Sequence, residues 1–322
     1  MKSPNILLSI VAAVTMTFGF STSTLQGQCP ADLNGDGQIN QTDVAQLLAN
    51  SGPVPFPPPA GPSVITPTWA TLLEAAPDPA VVTDANLRAA IVASGFAWRV
   101  RDNGTNIEML LVPGGTFMMG CSPGDAECAG DESPTHQVTL TNAFYMGKTE
   151  VTQAQWQAKM GSNPSSYSGF SDSPSRPVEQ VSWDTIQNFN SATGLRLPTE
   201  AEWEYACRAG TTTEQYGVLN DIAWFVSNSG GQTHAVAGKL PNALGLYDTL
   251  GNVWEWCQDL YGPYSSGSVT NPTGPATGSG RLLRGGFWNS GFSLVCRGSQ
   301  RNYAVNPYDA STGIGFRAVR TP

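Results

Sequence analysis

The sequence predicts an α+β protein with little regular secondary structure, and three observations carry that expectation. The 322 residues include 35 glycines and 24 prolines but only 13% charged residues, so turns should outnumber long solvated helices. Apolar residues in the central region recur in short extended segments. Short amphipathic helices interrupt those segments, two of them opened by paired capping residues. With 40% apolar residues, 9 Trp and 12 Phe, the chain can bury a sizeable core.

Residues 1–28 read as a Sec signal peptide: Lys2 gives the positive start, Ile6 to Phe20 the apolar stretch, and Ser21 to Gln28 a small polar exit. Export would place the mature chain in the periplasm, at the cell surface or outside the cell. A lipid anchor on Cys29 is disfavoured, because Gln28 stands where a small residue is needed and Leu25 lies one position too far upstream. No later stretch is apolar and long enough to span a membrane. The net charge of -9, with no basic run, argues against nucleic acid as a partner.

Residues 29–51 hold the sequence DLNGDGQINQTD, Asp32 to Asp43, which sets oxygen ligands at loop positions 1, 3, 5 and 12 with Gly37 at the turn. In this calcium loop Asp32, Asn34 and Asp36 would bind through side chains, Gln38 through its carbonyl and Asp43 through its carboxylate, before a helix carrying Val44, Leu47 and Leu48. The segment resembles one half of a type I dockerin, which implies a cohesin-like partner, although dockerins carry two such repeats and this chain has one. Residues 52–67 contain seven prolines and form a semi-rigid linker. Residues 68–106 are an N-terminal extension, with a helix expected over Asp84 to Ser94 ended by Gly95; the sequence supplies no functional reading for it.

The main domain should run over residues 107–322. MLLVPGGTFMMG reads as two strands about the Pro113-Gly114-Gly115 turn, and HQVTLTNAFYMG as a half-buried strand. Thr152 with Gln155, and Thr199 with Glu202, stand in capping-box spacing, the second helix with Gly210 as terminator; Ser182 to Gly194 makes a third helix. Beyond Thr211, loops and short strands should dominate. Cys121 and Cys128 lie in one polar loop and should form a local disulfide, which an exported chain permits. His136 and His234 are the only histidines, and neither CxxC nor HExxH occurs, so zinc and His-rich iron sites lack ligands. Both histidines read as hydrogen-bonded structural residues, and no GxSxG elbow supports a Ser-His-Asp triad.

Four C-terminal motifs carry a more specific signal: GLYDTLGNVWEWCQD (Gly245 to Asp259), RLLRGGFW (Arg281 to Trp288), CRGSQR (Cys296 to Arg301) and GIGFRAVR (Gly313 to Arg320). With the VPGGTFMMG entry strand, they resemble the formylglycine-generating enzyme, or sulfatase-modifying factor, family from about Met109 to Arg320. The resemblance implies the sulfatase-modifying-factor variant of the C-type lectin-like fold. It implies a structural calcium held by Asp248, the carbonyls of Gly251 and Val253, and Glu255, a hard oxygen set. The family's second calcium site would fall in Trp224 to His234, which lacks a carboxylate and is not carried over. The family pattern also implies a Cys207 to Cys296 disulfide, leaving Cys29 and Cys257 unassigned.

The catalytic pattern departs from the family. Its oxidases hold copper(I) between two cysteines after the Gly-Gly pair, and soft thiolates suit that ion. Here Ser290 stands at the first position, and a short deletion falls at the second, so copper is not expected. Trp288, Asn289, Arg297, Arg301, Tyr303 and Asn306 correspond to the substrate groove and would contact a peptide, glycan or surface partner; Arg284 and Arg317 should be internal. The expectation is an exported, calcium-stabilised, non-oxidase binding member. The alternative is a formylglycine-generating oxidase or other divergent protein-modifying enzyme, using Ser290 or Cys257.

Overall fold

In the computed structural model, which describes residues 36, 38, 40–50, 64–291 and 295–322, the chain divides into two units, residues 1–61 and 62–322. In the first, α1 (Gln41–Asn50) is opened by a reciprocal cap: the Asn40 side chain accepts from Thr42 N–H at 2.8 Å, and the Asp43 carboxylate accepts from Asn40 N–H at 2.9 Å. Asp36 turns the preceding loop by accepting from Gln38 N–H at 2.9 Å. Of the five expected calcium ligands in this segment, Asp32 and Asn34 lie outside the described residues.

The second unit is built on three sheets. The largest has the order β1 (Ala70–Glu74), β2 (Arg99–Asp102), β3 (Glu108–Val112), β6 (Phe144–Gly147) and β12 (Val319–Arg320), antiparallel throughout. Its central strands are buried nearly throughout, as Leu110, Leu111, Tyr145 and Met146 show. The second sheet runs β10 (Arg301–Val305), β9 (Arg281–Arg284), β7 (Trp254–Leu260) and β11 (Ile314–Gly315). In the third, β5 (His136–Leu140) lies between β4 (Gly115–Met119) and β8 (Val269–Thr270).

Residues 68–106, set apart by sequence as an extension, pair directly into the largest sheet. There β2 aligns Val100 with Met109 of β3, while Val82 and, on α2 (Ala85–Ala93), Ile91 are fully buried in the core. The strands flanking Pro113-Gly114 form as expected but do not pair with each other. A Cβ on Gly114 would meet the Leu140 carbonyl at 2.9 Å, so the chain passes close to the end of β5 as it crosses between sheets. HQVTLTNAFYMG likewise divides into β5 and the wholly buried β6 rather than one half-buried strand.

The three helices of the central region start where their caps place them. α3 (Gln153–Met160) and α5 (Glu200–Arg208) have complete capping boxes at Thr152–Gln155 and Thr199–Glu202, and α4 (Trp183–Thr193) is capped by Ser182. α5 ends on Ala209 in the left-handed region, φ 47°, one residue before the expected Gly210. A short α6 (Leu219–Ile222) follows. Among the described residues no helix is long and apolar enough to cross a membrane.

Candidate functional site

The turn after β9 is set by two glycines. Gly285 and Gly286 have φ of 97° and 81°, and Cβ atoms there would come within 2.7 Å of the Thr249 carbonyl and 2.8 Å of Cys296 Sγ. The chain then closes tightly: Phe287 N–H donates to Ser290 Oγ at 3.0 Å, and Ser290 N–H to the Phe287 carbonyl at 2.9 Å. This turn buries Ser290 and presents Trp288 and Asn289 at its tip, the first half-buried and the second exposed.

Trp288 is held on three sides. Its N–H donates to the Asn252 carbonyl, its carbonyl accepts from Ser229 Oγ at 2.7 Å, and its indole N–H donates to the Thr312 carbonyl at 3.0 Å. Tyr167 meets the indole edge-on with centroids 5.8 Å apart, and Phe170 lies 6.1 Å beyond Tyr167 with the Arg176 guanidinium over its ring. An aromatic surface therefore runs from Trp288 to the exposed Phe170. Tyr167 and Phe170 were missed by sequence reasoning; two aromatics in a Ser- and Gly-rich loop were the available signal.

Arg297 and Arg301, expected in the ligand groove, are internal instead. Arg297 is 1% exposed; it binds Glu132 through both terminal nitrogens, at 2.6 and 2.8 Å, and Asp125 at 2.5 Å. It thereby ties the C-terminal segment to the loop closed by the Cys121–Cys128 disulfide, which forms as expected. Arg301, 2% exposed, grips Glu200 at 2.7 and 3.0 Å and lies against the rings of Tyr261 and Tyr264. Five donors in a rigid fork suit such buried bracing. Arg284 and Arg317 are internal, as anticipated. Asn306 is exposed in a turn, its side chain accepting from Tyr308 N–H, and Tyr303 lies on β10 with its side chain outside the described residues.

The cysteines also differ from expectation. Cys207 and Cys296 are not joined; with Cys257 they are buried free thiols in one apolar cluster around Trp203 and Leu250. Burial pushes Cys207 up to about 11 and Cys296 up to about 12. Burial likewise pushes the Cys257 thiol well up, removing the thiolate that nucleophilic chemistry would need. Ser290, which the resemblance sets at the first copper position, offers a hard hydroxyl, and Cys296 beside it is a single thiol, so these residues do not supply the two thiolates that copper(I) takes.

The calcium positions form a buried acidic group. Asp248 (φ 53°) and Gly251 (φ 82°) shape the loop into β7, and Asp248 accepts from Ala237 N–H at 2.6 Å while its Oδ1 has no hydrogen-bond partner among the described residues. Glu150, which the sequence reading passed over, is buried beside it, and its Oε1 also has no partner among the described residues. Glu255 is committed: Arg317 holds both its oxygens and the Trp203 indole donates to Oε2 at 2.7 Å. Burial, then the neighbouring carboxylates, raises Glu150 well above the usual range, and burial lifts Asp248 to about 6. Three carboxyl groups share one guanidinium, and two oxygens lack partners, which fits a cation at Asp248 with carbonyl ligands rather than at Glu255. Among the described residues no three His, Cys, Asp or Glu side chains converge as a metal site.

Both histidines are structural. His136 Nδ1 lies 3.0 Å from the Pro134 carbonyl, and His234 stacks on Trp224 at 3.9 Å with Nε2 2.7 Å from the Ser229 carbonyl.

This arrangement, three small sheets and short capped helices braced by buried arginine pairs, is the sulfatase-modifying-factor variant of the C-type lectin-like fold. The structure superposes on Treponema denticola variable protein 1 with a TM-score of 0.61 at 32% identity, over 67% of this chain and 95% of that one. It matches PvdO from Pseudomonas aeruginosa with a TM-score of 0.62 at 25% identity, over 70% and 98%. In sequence, the formylglycine-generating enzyme of Streptomyces coelicolor is 30% identical over 304 residues, spanning 72% of this chain and 94% of that enzyme. Residues 97–322 match the family described as Sulfatase-modifying factor enzyme 1-like domain, and the chain belongs to that family.

Proposed function

We propose that this protein is an exported, ligand- or partner-binding member of the family that does not run its copper-dependent oxidation. The observation that supports this reading is Ser290: its hard hydroxyl follows the Gly285-Gly286 turn, where the resemblance sets the first of two copper-binding cysteines, and the deletion that follows supplies no cysteine at the second position. Family membership alone decides nothing here, since one architecture hosts unrelated activities. The surface left for recognition is the aromatic face of Trp288, Tyr167 and Phe170 with Asn289 at its edge; rigid rings of this kind suit a peptide or glycan. Incubation of the mature protein with copper(I), oxygen and a CxPxR peptide should leave the cysteine unmodified by mass spectrometry, beside a working oxidase control. Conversion to formylglycine would overturn the reading and restore the oxidase alternative.

Calcium is proposed as a structural ion, held by Asp248 with the Gly251 and Val253 carbonyls and neutralising the group that includes Glu150. A second calcium is assigned to Asp32, Asn34, Asp36, Gln38 and Asp43, with a cohesin-like partner for that segment. For the main domain, chelation should lower the melting temperature by about 5–10 °C, the effect of an ion at roughly a hundredfold its Kd. Asp248→Asn should abolish most of that response, and Asp36→Ala should leave it intact. A wild-type melt indifferent to chelator at neutral pH would remove the ion from Asp248.

A further inference from the structure

A cleft of about 710 Å³ opens beside α4 and the start of α5, bounded by residues 140–144 and 271–273, and it shares no lining residue with the Trp288 surface. Its volume lies in the range of small-molecule sites. Its chemistry is set by side-chain amides. Gln187 and Asn190 stand three residues apart on one face of α4, with Asn142 and Gln258 across the cleft, while Ile186 and Phe189 of the same helix fill the core.

Two features narrow the ligand. The cleft is electrically neutral: its charged residues, Arg196 and Glu202, pair bidentately at 2.6 and 2.7 Å, and Glu202 also caps the Thr199 N–H. A free phosphate or ammonium group finds no counter-charge there. Asn190 is 7% exposed, and among the described residues neither of its buried amide atoms, nor the buried Gln187 Nε2, has a hydrogen-bond partner. The neighbouring Asn271, by contrast, is satisfied by Thr141 through both amide atoms. Buried polar groups are ordinarily paired, so an orphaned donor and acceptor on one carboxamide at a cleft wall point to a missing partner.

We propose that this cleft binds a neutral, hydroxyl-rich ligand of the saccharide class, independently of the Trp288 surface. Adjacent hydroxyls each donate and accept, which matches the paired donor and acceptor of Asn190 and the donor of Gln187. The half-buried Ala143 and Pro272 supply apolar lining for the C–H face of a sugar ring. An extended peptide is less well served. β5 and β6, which contribute Leu140 and Phe144, are each paired on both sides, so these two strands offer no free edge for main-chain bonding.

The test is calorimetric titration of the full mature chain with cellotriose, maltotriose and diacetylchitobiose in turn, with N-acetyl-triglycine amide as the peptide probe. At least one sugar should bind saturably with a Kd in the millimolar range or below. Asn190→Leu should weaken it at least about tenfold, the loss of one or two hydrogen bonds. The same substitution should hold or raise the melting temperature, because it removes an unpartnered buried amide. Should Asn190→Leu fold poorly, the half-buried Gln187→Ala must show the affinity loss instead. Trp288→Ala should leave sugar binding unchanged. Failure of all three sugars to bind, affinity unchanged in the variants, or binding of the peptide alone would overturn the proposal.

Discussion

Replacing Arg317 by methionine should cost about 3–5 kcal/mol in denaturant unfolding, among the largest losses expected from one side chain in this protein. The guanidinium is fully buried and uses its whole fork: Nε and Nη2 on Glu255, Nη1 on the Gly147 carbonyl at 2.8 Å, Nη2 on the Tyr247 carbonyl at 2.6 Å. Without it, Glu255, Asp248 and Glu150 would be left as a buried acidic group, and one or more must take up a proton. The double variant Arg317→Met with Glu255→Leu should recover much of the loss, since removing both partners also removes the unpaired charge. Calcium should protect the single variant more than wild type, because the ion would then be the sole neutralising charge. A single-variant loss below about 1 kcal/mol would show that the pair is not the brace described here.

Asp259→Asn should stabilise the protein at pH 8 by on the order of 2–4 kcal/mol while changing little near pH 4. Burial, reinforced by the charge of Glu200, lifts Asp259 to about 7 from an ordinary value of 3.8. The folded state therefore holds a proton that the unfolded state releases. That contribution is complete below about pH 4 and is lost as the pH rises through about 7. Asp248, lifted to about 6, and Glu150 act with the same sign in the calcium-free protein. Glu132 acts oppositely: burial opposes its ionisation, but Arg297 prevails and holds it below the usual range, so its contribution is lost as the pH falls through that lowered value. The calcium-free domain should be most stable on the acid side of neutrality. Unfolding curves from pH 4 to 8 test this, and an Asp259→Asn variant that parallels wild type at every pH would remove Asp259 from the account.

Local features were legible wherever a short-range rule decides them. Thr152, Ser182 and Thr199 mark helix starts because their hydroxyls satisfy backbone N–H groups within three residues. The Cys121–Cys128 bridge was readable because its loop is short. Arg297 and Arg301 were misread because an arginine in a loop motif looks alike whether it faces solvent or a carboxylate 165 or 101 residues away in sequence. Cys207 and Cys296 were expected to pair from a family pattern, and each is instead a buried free thiol in the apolar cluster.

By itself the sequence determined the family scaffold, the helix starts and the glycine turn before Trp288, because each is written in residue type and near spacing. Only the tertiary structure decided which charges are buried and with what partners. It joined β3 and β4 to different sheets, drew residues 68–106 into the domain, set Glu150 beside Asp248, committed Glu255 to Arg317 and left Asn190 unpartnered at the cleft wall. Hydrogen bonds and ion pairs between distant segments depend on atoms meeting within about 3 Å, and chain spacing constrains such meetings only over the first few residues.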